Sequence, residues 1–300
     1  MNKNRNPVGV FHSSFSFAGE CMTLLDETKR LLRYYRITPK KRLGQNFLVD
    51  ENILQKMVSY ASISEKDTVL EVGAGFGFLT EKLAEKAEKV IAVEIDRKLV
   101  RALKERLRKH ENVTILHGDV LKIKVSHFNK VVSTPPYSIS SPLQFWLLSK
   151  PFEEAVLSFQ EEFARRLTAS VGSKDYGRIT VTTYYWAEVE VLDTIPKEAF
   201  WPPPKVDSLI IRLKPRKAPF RVVDEKIFFD VVRAIFTQRN KKLRNAIMPF
   251  FGQFRIPSRE AIKIADSLPF HDRRPRELSP EEIGLIADEA ARKLRRIGLL

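Results

Sequence analysis

The sequence predicts an α/β protein: a mostly parallel sheet covered by helices, followed by a small C-terminal all-helical domain. Short apolar segments alternate with amphipathic helical ones between residues 51 and 186, which is typical of parallel strands joined by helices. Two later strands, at 187–195 and 207–215, have no helix between them, so they are expected to be antiparallel neighbours. From about residue 222 to the end the periodicity is helical.

The elements follow one another in a simple order. An amphipathic helix begins at Met22, a basic irregular stretch covers 38–50, and a second helix covers 51–61. A short apolar strand at 67–72 then leads through a glycine turn into another helix. The rest of the alternation consists of strands at 89–96, 113–120, 130–137 and 153–159 and helices at 97–110, 140–149, 160–169 and 176–186.

The chain is expected to divide into three parts. Residues 1–21 lack both a periodic pattern and the long apolar core of a signal peptide. They are interpreted as a disordered tail, or as an upstream start that is not used in the cell, in which case Met22 is the first residue. Residues 22–217 are expected to form the α/β domain and 218–300 a basic helical domain.

The composition favours a nucleic-acid partner and a reducing, cytoplasmic compartment. The 300-residue chain carries a net charge of +15 and has a pI near 9.8, which favours a polyanionic partner. The single cysteine, Cys21, excludes an intramolecular disulfide framework and a cysteine zinc cluster, and no metal is expected. No apolar segment approaches the ~20 residues of a membrane helix, so no membrane association is expected.

Positive charge is concentrated in the last hundred residues. Residues 201–300 contain 22 Lys and Arg against 12 Asp and Glu. Clustered positive charge that neighbouring acids do not balance favours phosphate contacts over a merely solvated surface. The candidate phosphate contacts are Lys41 and Arg42 of the irregular stretch, together with Arg239, Lys241, Lys242 and Arg244.

The segment EVGAGFG places Gly73, Gly75 and Gly77 between a strand and a helix. Glycine is needed where the backbone approaches a ligand closely or takes a positive φ. Glu94 ends the next strand, about 20 residues further on, where a carboxylate can accept hydrogen bonds from both hydroxyls of a ribose. Asp119 ends the strand after that, where it can accept from an adenine amino group. These residues are the candidate nucleotide site.

Simpler interpretations of the same residues remain open at this point. The glycine turn also occurs in nicotinamide-binding folds, and a tight strand–helix connection would use it too. Asp96 is a candidate helix N-cap, and Asp119 is a candidate turn residue. The predicted sheet, mostly parallel with one antiparallel strand near its edge, is nevertheless the pattern of class I methyltransferases.

The segment STPPY ends a buried strand and predicts a site for methylating an amino group on a base. The exocyclic amine of adenine is a poor nucleophile, because its lone pair is delocalised into the ring. The Thr134 hydroxyl and the Pro135 carbonyl can accept hydrogen bonds from its two N–H groups, and the prolines hold that carbonyl in a fixed direction. Tyr137 can stack on the base, which is worth about 1–3 kcal/mol. The alternative is an irregular strand end with a half-buried tyrosine.

Over roughly residues 29–290 the chain resembles the ribosomal RNA adenine dimethyltransferases of the small subunit. Motifs of this family are matched in order and spacing. The long helical C-terminal segment of this chain resembles that of the archaeal and eukaryotic members as much as that of the bacterial ones. The matching segments are 44–50, 71–80, 93–96, 118–120, 135–143, 172–181, 200–208, 236–247 and 273–282.

The resemblance implies an enzyme that uses S-adenosylmethionine to add two methyl groups to N6 of each of two adjacent adenosines. These lie in the hairpin loop near the 3′ end of small-subunit rRNA, inside an assembling pre-ribosomal particle, and the enzyme is expected to be a monomer. Tyr137 would stack on the target base, while Phe200 would either close over its other face or serve as a core aromatic. The residues that would line the cofactor are Asn46, Leu48, Gly73, Gly75, Glu94, Asp119 and Thr134.

One residue departs from the family pattern, which has Asn where this chain has Thr134. Threonine offers a shorter hydroxyl in place of an amide carbonyl, so slower chemistry is expected rather than none. The departure supports a second hypothesis, an assembly factor that binds rRNA and cofactor without methylating. A DNA adenine methyltransferase and a nicotinamide dehydrogenase are further alternatives. The C-terminal motifs argue against the DNA enzyme.

Overall fold

A seven-stranded sheet organises the protein, which is described here from a computed structural model covering residues 22–300. The interpretation of residues 1–21 therefore lies outside the described part of the chain. The strands are β1 (Phe47–Leu48), β2 (Thr68–Val72), β3 (Lys89–Glu94), β4 (Val113–His117), β5 (Lys130–Ser133), β6 (Glu154–Gln160), β7 (Ala187–Ile195), β8 (Phe200–Trp201) and β9 (Ser208–Pro215).

The central sheet has the order β4-β3-β2-β5-β6-β9-β7. Strands β2 to β6 are parallel to one another, whereas β9 pairs antiparallel with both β6 and β7. The predicted parallel sheet with one antiparallel strand near its edge is confirmed. Both faces are buried, with Val69 and Val132 in the core on one side and Leu70 and Val131 on the other, because successive side chains of a strand point to opposite faces.

Helices cover the sheet and form the C-terminal region, and their first residues follow local capping rules. Asp50 and Asp96 each accept a hydrogen bond from backbone N–H groups of the helix that follows them. The helices are α1 (Leu24–Tyr34), α2 (Glu51–Tyr60), α3 (Phe78–Ala84), α4 (Arg97–Arg106), α5 (Ser140–Leu148), α6 (Glu161–Leu167), α7 (Arg178–Trp186), α8 (Glu225–Ile235), α9 (Leu243–Ala246), α10 (Met248–Phe251), α11 (Ser258–Asp266) and α12 (Pro280–Arg296).

A second, two-stranded sheet was not predicted. Its strands β1 and β8 pair antiparallel, with Phe47 opposite Trp201 and Leu48 opposite Phe200. Each strand has only two residues, which is too short to show an alternating pattern in the sequence. The pairing joins the segment at 44–50 to the segment at 200–208, which are distant in sequence.

The C-terminal helices α8 to α12 share one hydrophobic core with α7 of the preceding region. Val181 and Tyr185 of α7 are buried in that core, and the nearby Tyr176 hydroxyl donates a 2.8 Å hydrogen bond to the Leu278 carbonyl. The helical C-terminal region is confirmed, and the division near residue 218 stays a prediction. Among residues 22–300 no helix is both long and apolar enough to cross a bilayer.

Candidate active site

A cleft opens at the carboxyl ends of the central strands, where the order of the sheet reverses. The chain runs outward from β2 through β3 to β4 and then crosses back to β5. Open α/β sheets bind ligands at such a reversal. The cleft has two adjoining lobes with about 730 and 750 Å³ of empty volume, and the residues that line both are Leu43, Gly73, Glu94, Ile95 and Pro136.

The glycine turn brings the end of β2 against residues 134–137, the proline loop. Gly73 has φ +79°, and a Cβ atom there would lie 2.8 Å from Cδ of Pro136. Gly75 has φ +59°, and its Cβ atom would meet the Phe47 ring at 3.3 Å. Both positions therefore need glycine for conformation and for space, since the turn packs directly against Pro136 and Phe47.

Glu94 is only 5% exposed, and both of its carboxylate oxygens accept backbone hydrogen bonds. Oε2 accepts from the N–H of Gly75 at 3.0 Å, and Oε1 accepts from the N–H of Asp96 at 2.8 Å. Burial raises the pKa of Glu94, and these backbone N–H groups offset part of that rise. Each oxygen has capacity for one more donor, so the carboxylate can accept two ribose hydroxyls.

Asp119 lies in the second lobe of the cleft, beside Gly118 and Val120. Its carboxylate accepts a 3.1 Å hydrogen bond from the N–H of Leu121, so it also has the turn role. Its side chain is 27% exposed, which leaves it accessible to a ligand.

Asp96 is a helix cap rather than a cleft residue. Besides capping α4, it accepts a 2.6 Å bond from the Lys40 ammonium and a 3.3 Å bond from the Gln45 amide. These contacts fasten the basic stretch at 38–50 to the sheet. Asn46 and the buried Leu48 of this stretch line the cleft. The Asn46 amide donates a 3.4 Å hydrogen bond to the Gly44 carbonyl.

The proline loop contributes Thr134, Pro135 and Tyr137 to the lobe that Asn46 and Leu48 line. The Tyr137 hydroxyl shares a 2.7 Å hydrogen bond with the Ser208 hydroxyl. Burial raises the pKa of Tyr137 to about 12, so the phenol keeps its proton near neutral pH. Phe200 is 3% exposed and meets the Tyr137 ring edge-on, with the ring centroids 6.2 Å apart. Phe200 is therefore both a core aromatic and a cleft residue.

Two cleft residues were missed in the sequence. Glu71 is 2% exposed and its carboxylate accepts a 2.6 Å hydrogen bond from the Thr80 hydroxyl. Burial raises the pKa of Glu71 to about 8. An acid inside an apolar strand was the signal that could have identified it. Ser158 of β6 also lines the cleft, and no sequence pattern marks it.

The predicted phosphate contacts separate into two groups. Arg239 donates to the Lys174 and Tyr176 carbonyls, both at 2.9 Å, and Lys242 and Arg244 pair with Asp272 at 2.9 and 3.3 Å. These three cations therefore have structural partners. The remaining cations are exposed and make no ion pair with any residue of 22–300: Lys41, Arg42 and Lys241.

The cleft fits S-adenosylmethionine by the chemistry of its donor and acceptor groups. The turn at Gly73 and Gly75 gives close backbone approach, and Glu94 offers two acceptors for a ribose. Asp119 offers an acceptor in the adjoining lobe for an adenine amino group. Within the described residues, 22–300, no three His, Cys, Asp or Glu side chains are grouped as a metal site would need.

The fold and the cleft together define a class I, S-adenosylmethionine-dependent methyltransferase. A structure of dimethyladenosine transferase from Plasmodium falciparum is 29% identical, with a TM-score of 0.70 over 84% of this chain and 98% of that one. A structure of the 23S rRNA methyltransferase ErmE is 28% identical, with a TM-score of 0.62 over 82% and 100%. The chain belongs to the ribosomal RNA adenine dimethylase family, whose model matches residues 37–277.

Sequence relatives agree with this assignment. A Methanosarcina acetivorans protein named "Probable ribosomal RNA small subunit methyltransferase A" is 46% identical over 81% of this chain and 91% of its own length. The Bacillus cytotoxicus "Ribosomal RNA small subunit methyltransferase A" is 40% identical over 88% and 95%. The resemblance inferred from the motifs is confirmed, and the protein is an S-adenosylmethionine-dependent rRNA adenine dimethyltransferase.

Proposed function

We propose that the protein dimethylates N6 of two adjacent adenosines in the hairpin loop near the 3′ end of small-subunit rRNA. It would act in the cytoplasm on an assembling pre-ribosomal particle. The observation that carries the proposal is the meeting of the glycine turn, Glu94 and the proline loop in one cleft. The names of the relatives, which specify the small subunit, support the choice of substrate.

The cofactor site is proposed to be held by the residues that line the two lobes. Bound S-adenosylmethionine supplies an electrophilic methyl group. Glu94 accepts the ribose hydroxyls, and Asp119 accepts from the adenine amino group. Gly73 and Gly75 allow the backbone to approach, while Asn46 and Leu48 close the lobe from the basic stretch.

The proline loop is proposed to hold the target amine. The Thr134 hydroxyl and the Pro135 carbonyl accept from its two N–H groups, which returns electron density to the nitrogen. Tyr137 stacks on the base after it has left its own stack. Because the phenol of Tyr137 keeps its proton, this residue positions the base and does not act as a general base.

The exposed cations that make no ion pair within residues 22–300 are proposed to bind rRNA phosphates. Lys41 and Arg42 lie on the basic stretch beside the cleft, and Arg42 lines its second lobe. Phosphate contacts position an enzyme on RNA without choosing the base.

The experiment that tests the function is methyl transfer from labelled S-adenosylmethionine into undermethylated small subunits, with the product nucleoside identified by mass spectrometry. Wild type, Thr134→Asn and Tyr137→Ala are compared. Dimethyladenosine from wild type supports the proposal and means that threonine suffices. Monomethyladenosine alone means that Thr134 limits the second transfer.

A second candidate function rests on Thr134 alone. If wild type transfers no methyl group while Thr134→Asn does, the protein is an rRNA-binding assembly factor built on an enzyme's fold. The complete set of Gly73, Glu94 and Asp119 in the cleft favours the enzyme, because a scaffold has no need of it.

A further inference from the structure

Ser158 places a hydroxyl group under the cleft without a hydrogen-bond partner. The residue is 0% exposed, it lines the lobe that contains the proline loop, and its Oγ atom makes no hydrogen bond within the described structure. Buried polar atoms are almost always paired, because leaving one unpaired costs free energy. An unpaired hydroxyl at the floor of an active site therefore calls for a partner that arrives or turns toward it during the reaction.

The neighbour best placed to become that partner is Thr134. Strands β5 and β6 are parallel and their register ends with Ser133 opposite Leu157, and Thr134 and Ser158 are the residues that come next in sequence. Both residues line the same lobe of the cleft, and Ser158 lies on the face of β6 that carries Val156, since side chains alternate along a strand. The Thr134 hydroxyl also makes no side-chain hydrogen bond within residues 22–300.

The role proposed for Thr134 creates a need that Ser158 can meet. To accept a hydrogen bond from the target amine, the Thr134 oxygen must present a lone pair and direct its own proton elsewhere. A freely rotating hydroxyl can instead turn its proton toward the amine nitrogen. That would occupy the lone pair with which the amine must attack.

We propose that Ser158 is a positioning residue that acts through Thr134. After a rotation of the threonine side chain, the Ser158 Oγ atom accepts a hydrogen bond from the Thr134 hydroxyl. This leaves a lone pair of the Thr134 oxygen free to accept from the target amine. The inference rests on the placement of the amine under Proposed function. It also assigns a partner to a buried hydroxyl that otherwise has none.

A double-mutant cycle of Ser158→Ala and Thr134→Val tests the coupling by single-turnover methyl transfer to undermethylated small subunits. Ser158→Ala alone should slow transfer about tenfold, the effect of one lost hydrogen bond. In the Thr134→Val background it should change nothing, because there is no hydroxyl left to orient. Cofactor affinity, measured by calorimetry, should be unchanged by Ser158→Ala.

Stability separates this role from a packing role. Removing an unpaired buried hydroxyl should leave the Tm of Ser158→Ala equal to or above that of wild type. Thr28→Val is the matched control, since the Thr28 hydroxyl is also buried and has no partner among residues 22–300, but lies on α1, away from the cleft. This control should leave the transfer rate unchanged.

The results that overturn the inference are distinct from those that overturn the function. An active wild type with an equally active Ser158→Ala, or with effects of the two substitutions that simply add, refutes the role of Ser158 alone. A Ser158→Ala protein that is slower but also less stable assigns the residue to packing and refutes it as well. Absence of transfer by wild type refutes both proposals.

Discussion

Replacing Gly73 with alanine should damage the cleft and the fold together. The residue has φ +79°, and a Cβ atom would lie 2.8 Å from Cδ of Pro136. A left-handed conformation costs a residue with a Cβ atom about 1–2 kcal/mol. Cδ of Pro136 belongs to a rigid ring that includes the backbone nitrogen, so it cannot rotate away from the added Cβ atom. The proline loop must move, and Thr134 and Tyr137 move with it.

Gly172→Ala is the matched control for the conformational cost. Gly172 has φ +85°, but a Cβ atom there would meet nothing within 4 Å. The control should therefore lose only the backbone term, about 1–2 kcal/mol, or roughly 2–6 °C in Tm. Gly73→Ala should lose more than the control, because it adds the contact with Pro136.

The assay compares Tm, cofactor affinity and single-turnover methyl transfer for both variants. Displacement of a reacting group by about 1 Å can cost about 100-fold in rate, and this is the loss expected for Gly73→Ala. Gly172→Ala should transfer methyl groups at the wild-type rate. If Gly73→Ala keeps both the wild-type cofactor affinity and the wild-type rate, the close approach of the turn to the proline loop is not functionally important.

Tyr137→Phe should keep most activity, whereas Tyr137→Ala should lose about 10- to 100-fold in target binding by the stacking term, and equal losses in a titration of enzyme against RNA would contradict stacking. Because burial raises the pKa of Glu71 to about 8, its contribution to stability is fully present below pH 4.5 and is lost as pH rises to about 8. Glu71→Gln should therefore gain in Tm relative to wild type as pH increases over that window. A difference in Tm that stays constant with pH would refute the raised pKa of Glu71. Replacing Lys41 and Arg42 with alanine should weaken RNA binding and reduce the slope of log affinity against log salt by about 2, and an unchanged slope would exclude them as phosphate contacts.

The strands and the glycine turn were predictable because local rules decide them. Short apolar segments mark β2, β5 and β6, and Asp67 and Gly73 bound the first of them. Their alternation with helical periods predicts a parallel sheet. The antiparallel β9 followed from the missing helix between 195 and 207. Each of these inferences uses neighbours within a few residues, which a sequence displays directly.

The positions of the two cleft acids were predictable for a related reason. Once Glu94 and Asp119 are placed at the ends of parallel strands, topology alone brings them to one edge of the sheet. The structure places both in the cleft. The cations were harder, because charge in the sequence does not reveal which residues have acidic partners. Lys242 and Arg244 share Asp272, which lies about 30 residues away.

The sequence by itself determined the parallel sheet, the glycine turn, the proline loop and the class of chemistry, since each depends on residue types at fixed short spacings. Only the tertiary structure decided the pairing of β1 with β8, the burial of Glu71, and the presence of Ser158 in the cleft lobe that Thr134 also lines. These features depend on strand register and on contacts between distant segments. A two-residue strand and a single serine become recognisable only when the strands that flank them are in place.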